Sequence, residues 1–192
     1  LQSQSSGLSR WMDEMSVFLR AEQVAVGDAD ILQAQIQESE GVREDIETLQ
    51  KNMDNINDIS KTLVADSEPG FGSKLRLQVA ALTDRWTEVV KQSKQQHNRL
   101  KAASDTTQKL VERMELADKW MDSMNRDHLA LEYTVHSEEQ LKELCDKFKA
   151  LHDEVNAKEP EMTALNDEGN EILNSGAPGT LQDLAKQVMK LN

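Results

Sequence analysis

The residues in this chain able to do chemistry are four histidines, one cysteine and many carboxylates, so metal binding, nucleophilic catalysis and paired-acid catalysis are weighed first. His97, His128, His136 and His152 never stand three or four residues from one another or from Cys145. Zinc ligands on a helix need such spacing, so a zinc site has no first ligands here. His152 follows the apolar Leu151 and is expected at the rim of a packed face. Cys145 has no partner for a disulfide and is expected as a core thiol, which suits a reducing compartment. Carboxylates crowd at Glu38, Glu40, Glu44, Asp45 and Glu47, but as helix-surface charges they have no cleft to shift their acidity. Neither catalysis nor a metal is expected.

Two loop-like stretches could imitate ligand sites. Pro69-Gly70-Phe71-Gly72-Ser73 offers Gly-x-Gly, yet no strand precedes it and no Lys-Ser/Thr follows, so it reads as a helix-to-helix turn and not as a phosphate cradle. Asn52-Met53-Asp54-Asn55-Ile56-Asn57-Asp58 carries carboxylates and amides as a calcium loop does, but it puts the apolar Met53 and Ile56 inside what would be the loop. No cofactor is expected.

Charge narrows the partners. With 22 basic and 35 acidic residues the chain carries −13, which disfavours nucleic acid or anionic lipid over the surface as a whole. The most basic stretch, Lys91, Lys94, His97, Arg99 and Lys101, is read as solvated positions spread around a helix, without interleaved aromatics for base stacking. The start LQSQSSGL lacks the pattern of a signal peptide, and no apolar run approaches the roughly 20 residues of a membrane span. A soluble, intracellular protein is expected.

The elements that position these residues are helices. Hydrophobic residues make up 38% and charged residues 30%, with only 8 Gly and 3 Pro. That balance points to long amphipathic helices. The sequence also repeats itself. Arg10-Trp11-Met12-Asp13-Glu14-Met15 returns as Lys119-Trp120-Met121-Asp122-Ser123-Met124, an offset of 109 residues. Without a gap the same offset pairs Leu32 with Leu141, Met53 with Met162, Asn57-Asp58 with Asn166-Asp167 and Pro69-Gly70 with Pro178-Gly179. It continues through Leu75 with Leu184, Val79 with Val188 and Leu82 with Leu191, so that 17 of the 83 overlapping pairs are identical. This is a duplication.

Each unit reads as three helical segments and two breaks. In the first, Leu8, Trp11, Met15 and Phe18 keep the 3,4 spacing of a buried seam. After Val26-Gly27-Asp28 a second seam runs through Ile31 or Leu32, Ile36, Val42, Ile46, Leu49, Met53, Ile56, Ile59 and Leu63; Gly41 lowers its helix propensity without breaking it. The stretch 66–73 ends that helix, and Ser73 is placed to cap the next, which carries Leu75, Val79, Leu82, Trp86, Val89 or Val90, Ser93 and Leu100. No Pro or Gly follows between Lys74 and Asp127, so this helix is expected to run on into the second unit through Leu110, Met114, Ala117, Trp120 and Met124. Ala102, Ala103, Ser104, Asp105, Thr106 and Thr107 form the junction, polar and weakly helix-forming, where a bend or hinge would sit.

The second unit breaks near 132–137, and Ser137-Glu138-Glu139-Gln140 is a capping-box pattern. Its middle seam is Leu141, Leu144 or Cys145, Phe148, Leu151, Val155, Met162, Leu165 and Ile172, interrupted by Pro160, expected to kink or locally open the helix, and weakened by Gly169. A turn at 174–179 precedes Thr180, a candidate cap, and Leu181, Leu184, Val188 and Leu191. The counterpart of Trp86 would fall beyond Asn192, so the second unit is expected to lack most of its third helix. Core positions are assigned to Trp11, Trp86, Trp120, Leu32, Leu82 and Leu141, and the methionines on or beside the seams are read as packing residues.

Two tryptophans in register in the first helices, Trp11 and Trp120, and Leu82-Thr83-Asp84-Arg85-Trp86-Thr87-Glu88-Val89 in a third helix that continues into the next unit resemble the spectrin repeat family. The resemblance covers essentially the whole chain, and the 109-residue spacing is similar to that of dystrophin, utrophin, spectraplakin or nesprin rods. It implies an all-α fold of tandem three-helix antiparallel bundles joined by a continuous helix, with residues 1–103 and 104–192 as the two repeats. It further implies a structural rod or spacer in a large actin-linked cytoskeletal protein, cytoplasmic, anchored through other parts of the chain at a membrane or the nuclear envelope. The partners implied are other repeats of the rod, cytoskeletal or membrane-associated proteins, and actin through other domains. Two alternatives stay open: a docking scaffold that uses an exposed helix face, and helix exchange or dimerisation at the second unit.

Overall fold

The computed structural model describes residues 2–21, 23–131, 133–175 and 182–191. They form five helices: α1 (Gln2–Ala21), α2 (Ala29–Ala65), α3 (Pro69–Leu129), α4 (Glu138–Ser175) and α5 (Gln182–Leu191). Long helices packed antiparallel make the chain all-α, and two compact units divide it. The first comprises Leu1–Val24 and Asp30–Ala103; the second comprises Ser104–Asn192 together with the short stretch Ala25–Ala29.

Local chemistry explains where the helices start and stop. Gly27 adopts φ of 91°, a left-handed conformation that side chains rarely tolerate, and the chain turns there between α1 and α2. Pro69 is the first residue of α3, where its fixed φ suits the helix and its missing N–H is no loss. The helix therefore starts five residues earlier than a cap at Ser73 would require. Ser73 instead lies in the second turn, its hydroxyl donating to the Pro69 carbonyl at 2.9 Å. At α4 the Gln140 amide N–H donates to Ser137 Oγ at 3.2 Å, and Gln140 Oε1 accepts from the His136 N–H at 2.9 Å. Two backbone donors at that terminus thus find side-chain acceptors, on Ser137 and Gln140.

Three expected weak points are helical. Gly41 lies within the 37-residue α2. Residues 102–107 lie within the 61-residue α3, because nothing there removes a backbone donor and Ala103 and Thr107 are buried. The expected bend therefore leaves no break in the helix. Pro160 lies within the 38-residue α4, which continues on both sides of it.

In unit 1 the core joins Leu8, Met12 and Leu19 of α1 to Met53 and Ile56 of α2 and to Trp86 and Val89 of α3. In unit 2 it joins Leu110, Met114 and Ala117 of α3 to Leu165 of α4 and to Leu184 and Val188 of α5. The expected turn at 176–179, Thr180 and Leu181 lie outside the described residues, as does the Leu191 side chain.

Candidate functional site

The surfaces that matter here are the buried seams, and the tryptophans mark them unequally. Trp86 is buried at 5% exposure, stacks at a tilt on Trp11 with ring centroids 5.9 Å apart, and donates from Nε1 to Gln50 Oε1 at 2.8 Å. A buried indole N–H needs such a partner, and α2 supplies it. Trp11 is half-buried against the unit 1 core, where Met12 and Leu19 of the same helix are buried. Trp120 is likewise half-buried, its Nε1 donating to Glu154 Oε1 at 3.1 Å. Leu32 is fully buried at 0%, and Leu82 is half-buried against the unit 1 core.

Leu141 is corrected. It is 51% exposed, as are its successors along the seam, Phe148 at 37% and Val155 at 47%. The described residues of α5 reach the unit 2 core at Leu184 and Val188, packed with Met114 and Leu165, which leaves this row uncovered. Phe148 is instead flanked by Tyr133 and His128, at ring separations of 5.9 and 6.2 Å. Cys145 is corrected too: it is a free, exposed thiol and not a core residue.

The third correction concerns His97, which is buried at 4% and is not a solvated member of the basic stretch. The spacing that carries Trp86, Val89, Ser93 and Leu100 also carries position 97, so the signal lay in the seam; grouping it with lysines hid it. Its Nδ1 stands 2.7 Å from the hydroxyl of Ser39 on α2, and that hydroxyl donates to the Ile36 carbonyl at 2.9 Å. Ser93 and Gln96 are buried beside it on α3. A cavity of about 320 Å³ lies alongside, lined by Arg43, Ile46 and Glu47 of α2 and by Val90, Ser93, Lys94, His97 and Asn98 of α3. His128, His136 and His152 are exposed.

Two polar clamps tie the helices within each unit. Arg85 of α3 pairs with Asp13 of α1 at 2.5 Å and donates to Ser9 Oγ at 2.8 Å. Arg113 of α3 pairs with Glu168 of α4 at 2.5 Å. Partly exposed pairs of this kind fix register more than they stabilise. At the junction, Thr107 is buried at 1%, and its hydroxyl accepts from the Gly27 N–H at 2.9 Å, securing the Ala25–Ala29 turn inside unit 2. Ala103 is buried, Ser104 is half-buried, and Ala102, Asp105 and Thr106 are exposed.

Gly169 has a packing role that its helix propensity concealed. A Cβ there would stand 2.5 Å from Val188 Cγ2 and 2.9 Å from Met114 Cε, so the glycine lets α3 and α5 approach α4. Gly41, by contrast, faces open space.

Among the described residues no cluster of three or more His, Cys, Asp or Glu could hold a metal ion, and no helix is long and apolar enough to cross a membrane. The arrangement presents packed helical seams. Comparison with known proteins finds the same pattern. The spectrin repeat family matches residues 1–102 and 105–192, a non-catalytic structural domain typical of cytoskeletal rods. Utrophin of Rattus norvegicus is 23% identical over 163 residues, covering 85% of this chain and 5% of its own length. The chain thus spans a small part of that relative. With the family matched in both halves, and with each half folded around its own helical core, the chain belongs to the spectrin repeat family as two of its repeats.

Proposed function

We propose that the chain is a rod segment of a large actin-linked cytoskeletal protein, giving length, elasticity and docking surface between end domains, in the cytoplasm and in series with further repeats. One observation carries this reading: α3 is a single 61-residue helix that supplies the third helix of unit 1 and the first of unit 2. A helix common to two bundles transmits stability and orientation along a linear array, because neighbouring units cannot open independently without breaking it. The distant similarity to utrophin supports the cytoskeletal assignment. Single-molecule stretching of the two-repeat chain tests it. Cooperative unfolding of both repeats in one event, with refolding on relaxation, is the expected behaviour; two unrelated unfolding forces would remove the mechanical argument.

A second reading, protein docking, is favoured by the row Leu141, Phe148 and Val155 exposed on α4 together with Tyr133. Such apolar rows on a surface mark contact sites. Sedimentation velocity over a concentration series separates the two. Association that Leu141→Lys abolishes would support docking or helix exchange through this row, and an invariant monomer would remove self-association.

A further inference from the structure

We propose that the buried layer Ser39–His97–Ser93 is a proton-sensitive latch in the first repeat: neutral His97 holds α3 to α2, and a second proton on its ring loosens that contact. Three observations place the latch. Ser39 has a single hydroxyl hydrogen and donates it to the Ile36 carbonyl at 2.9 Å, so across the 2.7 Å contact His97 must donate from Nδ1. That leaves Nε2 as a bare acceptor. Nε2 is buried without a protein partner, as is Ser93 Oγ, and both residues line the cavity of about 320 Å³ between α2 and α3. Buried polar atoms of this kind are rare in folded proteins, where each one missing its partner lowers stability.

A proton added at Nε2 would create a cation inside the layer. The charges facing it are Glu40, Arg43 and Glu47 of α2 and Lys94 and Lys101 of α3; on α1 the charged residue of the last turn, Arg20, is exposed. Burial pushes the imidazole below its ordinary value of 6.5, Arg43 and Lys101 push it the same way, and Glu40 opposes them. The unfolded chain then binds more protons than the folded repeat as pH falls through about 6.5, so the first repeat loses stability on acidification and regains it above neutrality.

The test is a proton NMR titration of the four imidazoles in the whole chain, paired with urea unfolding at pH 7.5 and 5.5 followed by tryptophan fluorescence. A Trp120→Phe background leaves Trp11 and Trp86, both in the first repeat, as the reporters. The latch predicts that His97 titrates below the ordinary imidazole value of 6.5, and that the urea midpoint falls on acidification by more in the native sequence than in His97→Asn, whose amide can still donate to Ser39. Titration of His97 at or above 6.5 would overturn the proposal, as would equal midpoint shifts in the two proteins. Should His97→Asn fail to fold, Ser39→Ala takes its place: removing the acceptor frees Nδ1 and is expected to move the His97 titration, and an unmoved titration would equally overturn the latch.

Discussion

Trp86 and Trp120 have similar sequence surroundings, yet they do not bear equal weight. Trp86 is enclosed by α1 and α2, so Trp86→Ala is expected to cost about 3–5 kcal/mol of unfolding free energy, the range of a large core truncation. Trp120 is half-buried beside Glu154, and Trp120→Ala is expected to cost markedly less; urea denaturation of the two variants checks the order. The glycines separate in the same way. Gly41→Ala meets nothing within 4 Å and should stabilise by about 0.5–1 kcal/mol through helix propensity. Gly169→Ala gains the same propensity but drives a methyl to 2.5 Å from the stiff, β-branched Val188, so it is expected to destabilise by about 1–3 kcal/mol. Thermal denaturation followed by circular dichroism reads both. Sequence alone ranked these glycines alike because propensity is local, whereas the space around Gly169 is set by α3 and α5. The duplication held a clue: the counterpart of Gly169 is Ser60, another small residue and also buried.

For the helices, seam spacing and turn chemistry made most of the fold legible. The breaks at Gly27, before Pro69 and before Ser137 fall where proline, glycine and capping residues stand, and the unbroken α3 follows from the lack of Pro and Gly between Lys74 and Asp127. What spacing could not supply was which flank of a seam turns fully inward. Met12 and Leu19 are buried while Trp11 and Phe18, one residue earlier, are only partly so; a rotation of a fraction of a turn decides this, and it depends on the partner helices. Leu141 carried the same spacing as Leu32 and is exposed, because burial needs a third helix over it and spacing records only a readiness to be covered. Proline inside α4 gives a prediction for this helix. Pro160 is exposed and its ring removes a backbone bond without a packing role, so Pro160→Ala should raise stability by about 1–3 kcal/mol. A thermal melt that shows no gain would mean that the proline does more than interrupt the ladder.

For the whole chain, the repeat was readable from the 109-residue offset and the family from the resemblance carried by Trp11, Trp86 and Trp120, while no grouped set of ligands or catalytic side chains was readable in the sequence. The buried histidine escaped because a single polar residue on an apolar seam looks the same, in sequence, as one on its edge. The functional account rests on α3 coupling the repeats, and one substitution addresses it. Asp105 is exposed in the middle of α3, so Asp105→Pro breaks the helix through the lost N–H and the clash with the carbonyl four residues back, without touching either core. Asp105→Ala controls for the lost carboxylate. The decisive measurement is urea unfolding of the native sequence and these two variants, each carrying Trp120→Phe, read in parallel by far-ultraviolet circular dichroism and by the fluorescence of Trp11 and Trp86. Coupling through α3 predicts one coincident transition for the native sequence and Asp105→Ala, and two separated transitions for Asp105→Pro. Separate transitions already present in the native sequence, or a single unchanged transition in Asp105→Pro, would contradict it.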